Sequence, residues 1–154
     1  GLGEGYLMTS PTAQQLAGWK NGEAVTIVGA HTVGVEDGGK GLPGLTWSTE
    51  GGDLRIGHFV GMHALQVLPF VAWFVSRRRR LPTRQQLGLV WTAGVGYLGL
   101  VALVTWQALR AQSIIAPDGL TISVFAGIVL SVLAVTVGII FSRPNLARVQ
   151  RRNI

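Results

Sequence analysis

The amino-acid sequence predicts an all-α integral membrane protein: a bundle of three transmembrane helices with a mixed, glycine-rich extracytoplasmic segment. Three observations carry this reading. Charged residues are 13% of the 154, about half the share in a soluble domain, while 48% are hydrophobic and mean hydropathy is +0.41. Three apolar runs follow one another: Ile56–Ser76, about Leu87–Leu109 and about Leu120–Phe141. At about 1.5 Å rise per residue each reaches roughly 30 Å, the hydrocarbon thickness of a bilayer, and a chain this short has no core large enough to bury three such rods. The basic residues, finally, gather at the ends of these runs. The chain therefore divides into an extracytoplasmic segment over 1–55, a three-helix membrane domain over 56–142 and a basic tail over 143–154.

Orientation follows from the same basic residues. The loop RRRRLPTRQQ after the first run holds Arg77, Arg78, Arg79, Arg80 and Arg84, and the tail adds four more arginines. Nine of the thirteen basic residues thus fall on one side, so the positive-inside rule places the Arg77–Arg84 loop and the C-terminus in the cytoplasm and residues 9–55 outside. The seven acids, Glu4, Glu23, Glu36, Asp37, Glu50, Asp53 and Asp118, all fall on the opposite side. Trp73, Trp91 and Trp106 sit near span ends, where indole rings favour the headgroup level. The arginine loop is read as a topology anchor, with anionic-lipid contact as its second role. The net charge of +6 does not imply nucleic acid, because the basic residues form no face with interleaved aromatics. With no cysteine, disulfides and thiolate chemistry are excluded.

Taken in order, the outer segment starts weakly. Gly1–Met8 carries no clear structure and reads as the end of a preceding element or a disordered start, so the chain is expected to begin downstream of something else. Ser10 is a helix-cap residue type and Pro11 suits a first helical position, predicting a short surface helix over TAQQLAGW that ends at Asn21-Gly22. Leu16 and Trp19 of that helix are placed to lie at the headgroup level. Ala24–Val28 and His31–Val35 are β-branched enough for strands, with Thr46–Thr49 returning as another. Val35–Leu45 between them is a glycine-dense loop.

Each span carries a stripe of small residues, the surface through which membrane helices approach one another. Span three has Ser123, Gly127, Ser131, Ala134 and Gly138, span two Gly88, Thr92, Gly96 and Gly99, and span one Gly57, Gly61 and Ala64. The stripe of span three, at intervals of four and three, is expected to be a main packing face.

Chemistry concentrates on span one. His58 and His63 are five residues apart, roughly 140° around a helix, so one regular helix cannot turn both onto one metal. His58 lies in the first turn and reads as an interfacial histidine bonded to Asp53, Glu50 or water. His63 lies deeper, on a face with Phe59, Gln66 and Phe70, where an ionisable side chain is either bonded inside a bundle or a ligand. A neutral imidazole there suits one axial position of haem or another tetrapyrrole, and a second histidine ligand would come from another subunit, since spans two and three hold none. Pro69 frees the carbonyl of Leu65 and predicts a kink below His63. Gly34–Lys40 matches a phosphate-loop spacing, but Gly41 follows the lysine where a hydroxyl is required, so that match is rejected. His31, Asp37, Glu50, Asp53 and Arg55 are candidates to meet His58 in an outer-surface site.

No catalytic signature stands out, which points away from an enzyme. The functional expectation is a small polytopic protein of a bacterial inner membrane, a structural or accessory subunit bound to other membrane subunits. Two alternatives accompany it. One is a haem- or chlorophyll-type electron-transfer or pigment subunit ligated through His63 or His58. The other is a membrane enzyme using His31, Asp53, Arg55 and His58.

Overall fold

The computed structural model describes residues 2–25 and 28–142; the basic tail over 143–154 lies outside them. The chain is mostly helical, with elements α1 Leu2–Thr9, α2 Ala13–Lys20, β1 Thr32–Val33, β2 Gly52–Asp53, α3 Leu54–Ser76, α4 Thr83–Leu109 and α5 Gly119–Phe141. Helices α3, α4 and α5 are each long and apolar enough to cross a membrane. All three extend past the apolar runs at their N-terminal ends, because a polar cap or turn residue fits there as well as an apolar one. Asp53 caps α3 by accepting from the Arg55 amide, and Asp118 caps α5 by accepting from the Thr121 amide at 2.8 Å. Helix α3 continues through Pro69 to Ser76.

The segment before α3 departs from expectation in three places. Residues assigned no structure form α1, which packs against α3. Ser10 closes α1, its hydroxyl donating to the Tyr6 carbonyl at 2.7 Å, and does not cap α2. That cap is Thr12, because Gln15 three residues on completes a reciprocal capping box with it. Of the predicted strands only His31–Val35 survives, cut to the two residues of β1, and its partner β2 falls where no strand was expected. Ala24, Val25 and Val28 have no regular structure, and Thr26 and Ile27 lie outside the described residues. Strand β1 pairs antiparallel with β2, Thr32 opposite Asp53 and Val33 opposite Gly52. Thr46–Thr49 returns antiparallel only as a single bridge, Ser48 opposite Gly41, and does not extend into a strand. Thr46 has φ +54, a left-handed conformation, and its amide donates to the Leu42 carbonyl at 2.8 Å, closing a turn that leads into this bridge.

Helix α4 is central, packed against α3 on one side and α5 on the other. Gly88, Gly96 and Gly99 of α4 face α5: a Cβ at Gly88 would lie 3.1 Å from Ile139 Cδ1, and one at Gly96 2.6 Å from Val132 Cγ2. The stripe on α5 does not pack there, since a Cβ at Gly127 or Gly138 would meet nothing within 4 Å. Branched side chains of α5 fill the notches of α4, which recovers dispersion contacts that two facing small stripes would forfeit. Gly127 and Ser131 instead line an open apolar groove of about 610 Å³ beside α4. Gly96→Leu is accordingly expected to force α4 and α5 apart and to lower the melting temperature in detergent, an overpacking cost of about 1–3 kcal/mol. Gly138→Leu, in open space, should leave it unchanged; equal effects would refute this packing.

The well-buried apolar residues, Leu54, Ile56, Leu103, Val104 and Ala108, cluster at one end of the three helices. There the β1–β2 hairpin sits on the last turn of α4, and the Ser113 hydroxyl of the α4–α5 loop donates to the Ser48 carbonyl at 3.1 Å. Away from this hairpin end the helices expose much of their surface, which is apolar and suited to lipid.

Candidate functional site

Two places gather the predicted chemistry. The first is a polar pocket of about 280 Å³ at the hairpin end, lined by His31, Thr32, Thr46, Ser48 and Arg55 with Gly38, Gly39 and Gly41. Asp53 does not line it but bonds two residues that do, Ser48 and Arg55. At 1% exposed, its carboxylate accepts from the Ser48 amide (2.9 Å), the Arg55 amide (3.0 Å), and Arg55 Nε (3.0 Å) and Nη2 (2.7 Å). Arg55 also donates from Nη2 to the Thr46 carbonyl at 2.6 Å, so the guanidinium ties the glycine-rich loop to the start of α3. Asp37 accepts from the amides of His31 (3.2 Å) and Thr32 (2.9 Å) and from the Thr32 hydroxyl. His31 Nδ1 stands 3.4 Å from Asp37 Oδ1 and 4.0 Å from Asp53 Oδ1.

The structure therefore brings together His31, Asp37, Asp53 and Arg55 as the sequence suggested. Of the six candidates only His31 and Arg55 line the pocket; Asp37 and Asp53 bond to the residues that do, and Glu50 and His58 lie apart. Glu50 pairs with Lys40 at 3.2 Å on the surface, and the His58 ring lies against α1, where a Cβ at Gly5 would stand 3.5 Å from it. Among the described residues no group of three or more His, Asp and Glu side chains is arranged to hold a metal ion. The carboxylates and the guanidinium satisfy one another and the local backbone, so the chemistry this cluster performs best is fastening.

Burial pushes the Asp53 carboxyl up, but hydrogen bonds from the Arg55 side chain and from the Ser48 and Arg55 amides, with the Arg55 charge, hold it below the ordinary 3.8. Asp37 is held below 3.8 in the same way, burial opposing and the Thr32 hydroxyl, the Thr32 and His31 amides and His31 prevailing. A carboxylate with a depressed folded pKa contributes stability that is present above the unfolded value and is lost as pH falls through the folded value. Hydrogen-exchange protection of residues 31–53 is expected to hold steady from neutral pH down to 3.8 and to fall only below it. Loss of protection on raising the pH from 4 to 7 would contradict this assignment.

The second place is the outward face of α3. Phe59, His63, Gln66, Phe70 and Trp73, spaced four, three, four and three apart, are all exposed. The Trp47 ring meets Phe59 edge-on at 5.6 Å, Phe59 contacts the His63 ring at 4.0 Å, and Phe70 stacks on Trp73 at 5.7 Å. His63 Nδ1 lies 2.8 Å from the Phe59 carbonyl, a contact that selects the Nδ1–H tautomer and leaves Nε2 as the acceptor. Neither Nε2 nor the Gln66 amide has a hydrogen-bond partner among the described residues. His63 is the tenth of 23 residues in α3, close to its midpoint.

Sequence reasoning missed Glu4. Only 5% exposed, its carboxylate meets the Thr105 hydroxyl of α4, which also lies 2.8 Å from the Val101 carbonyl, and it packs where a Cβ at Gly57 would fall. The signal was an acid beside a glycine, Gly5, which lies against the His58 ring of α3. No protein-family model, curated protein or solved structure matches this chain.

Proposed function

We propose that this chain is a small polytopic subunit of a larger membrane assembly, in a bacterial inner membrane, and that it docks laterally through the outward face of α3. The observation that carries the reading is the pair His63 and Gln66, polar, exposed and near the middle of a helix long enough to span. Hydrocarbon cannot satisfy an imidazole acceptor or an amide, so polar groups at that depth turn toward protein or a ligand. The fitting partner is a transmembrane helix that presents hydrogen-bond donors to Nε2 and to the Gln66 carbonyl oxygen, with the flanking aromatics packing against it. The polar cluster at the hairpin end supports this role, since its carboxylates and guanidinium are engaged in fastening the hairpin to α3.

A photo-crosslinker at position 66 is the test. It is expected to give one defined protein adduct in membranes of the native host, diminished in His63→Leu, while the same probe at Leu130 on α5 gives none. Lipid-only adducts at position 66 would sink the proposal. The topology that belongs to it, with the arginine loop inside and the hairpin outside, is checked on this cysteine-free chain by Thr83→Cys and Lys40→Cys. The first should resist, and the second accept, a membrane-impermeant thiol reagent applied from outside the cell.

The orientation of His63 also favours a second reading, a tetrapyrrole held at Nε2. An outward Nε2 fixed by an Nδ1–H bond to a backbone carbonyl is the arrangement of an axial imidazole ligand. A Soret band in the purified protein that disappears in His63→Ala supports this reading over the first. A colourless protein removes it.

A further inference from the structure

We propose that the turn Arg77–Leu81 binds the phosphate of an anionic phospholipid, whose acyl chain runs into the groove between α3, α4 and α5. Arg77, Arg78, Arg79 and Arg80 surround a concavity of about 490 Å³ closed by Leu81. Its shape is set by the backbone. The Arg79 amide donates to the Arg77 carbonyl at 3.0 Å and the Leu81 amide to the Arg78 carbonyl at 2.9 Å, and Gln86 Nε2 holds the turn from α4 by donating to the Leu81 carbonyl at 2.8 Å.

Nothing anionic in the described chain answers these charges. No Asp or Glu occurs between Asp53 and Asp118, and among the described residues none of the five arginines of this loop makes an ion pair. Arg55 and Arg110, by contrast, are each paired with an aspartate. The start of α4 adds to the field. Its cap residue Pro82 offers no side-chain oxygen, whereas α2, α3 and α5 are capped by Thr12, Asp53 and Asp118, so the positive end of a 27-residue helix is left uncompensated beside the arginines.

The position selects a lipid phosphate over a free one. The Arg77 guanidinium lies 4.8 Å over the ring of Trp73, an indole that favours the headgroup level, and that of Arg78 4.4 Å over Phe74. From Arg77 it is six residues, about 9 Å of helix, back to Val71, which with Val67, Phe125 and Leu133 lines an apolar groove of about 360 Å³. A headgroup at the turn places an acyl chain against that groove.

Native mass spectrometry of the purified full chain, titrated with phosphatidylglycerol, with phosphatidylcholine of the same acyl chains, and with glycerol 3-phosphate, tests the site. Phosphatidylglycerol is expected to bind at least about tenfold more tightly than phosphatidylcholine, with the preference eroding as salt rises. At roughly fivefold per guanidinium, changing Arg77, Arg78, Arg79 and Arg80 together to Gln should lower phosphatidylglycerol affinity by roughly a hundredfold or more. Val71→Trp, which fills the groove, should weaken lipid binding while the preference for the anionic headgroup persists. Should the glutamine variant fail to fold, the lysine variant decides: it keeps the charges without the bidentate fork and is expected to bind severalfold more weakly. Equal affinity for the two lipids, parental affinity in either variant, unchanged binding in Val71→Trp, or glycerol 3-phosphate binding as tightly as the lipid would each overturn the proposal.

Discussion

Asp53→Ala is expected to release the hairpin from the helix ends and to cost about 3 kcal/mol, the lower end of the range for breaking a buried ion pair. The lower end applies because the Arg55 side chain keeps 30% of its surface exposed, while the Asp53 side chain keeps none. Three separate functions are lost at once. The carboxylate caps α3, accepts the Ser48 amide that closes the glycine-rich loop, and neutralises Arg55, which in turn holds the Thr46 carbonyl. Asp53→Asn keeps an acceptor but loses the charge and turns N–H donors toward those of Arg55, so it should recover only part of the loss. Thermal unfolding in detergent and hydrogen exchange over residues 31–53 measure both. If Asp53→Ala left melting and exchange at their parental values, the fastening role of this cluster would have to be abandoned.

Gly52→Ala is expected to have an effect of similar size for a different reason. A Cβ at Gly52 would overlap the Ala108 carbonyl oxygen and stand 2.6 Å from its carbon and 2.8 Å from its Cα. These are main-chain atoms of a helix, with Ala108 only 2% exposed, so no side chain can swing aside. The hairpin or the end of α4 must move, at an overpacking cost of about 3 kcal/mol. Gly119→Ala, where a Cβ meets nothing within 4 Å, is the matched control and should melt as the parent does. Because Gly52 and Asp53 hold the same hairpin, the double variant should lose less than the sum of the singles. Strict additivity would show that the two residues anchor different units.

Much of this architecture was legible in the sequence, and the parts that were not share a cause. The span boundaries came within a few residues because apolar length is visible in any window of the chain. His31, Asp37, Asp53 and Arg55 were singled out by residue type alone, and their convergence is short-range, within 25 residues of sequence. Misplaced features depended on competition between neighbours. Ser10 and Thr12 are both cap residues, and the choice fell to Thr12 through Gln15. Thr46–Thr49 has strand-like composition, yet the Arg55 bond to the Thr46 carbonyl and the left-handed φ of Thr46 limit it to a single bridge at Ser48. Glu4 is a surface residue by type and is buried against Thr105, 101 residues away.

The sequence by itself determined three helices of bilayer length, the gathering of nine of the thirteen basic residues in the 77–84 loop and the tail, and the identity of the polar residues on α3, because hydropathy and charge are local and additive along a chain. Only the tertiary structure decided which surfaces meet. The branched face of α5 enters the glycine notches of α4 and its own small residues line an open groove. Helix α1 buries a carboxylate between two helices, and His63 and Gln66 turn outward. Those outcomes depend on the shape that a distant segment offers, and complementarity of shape belongs to pairs of surfaces.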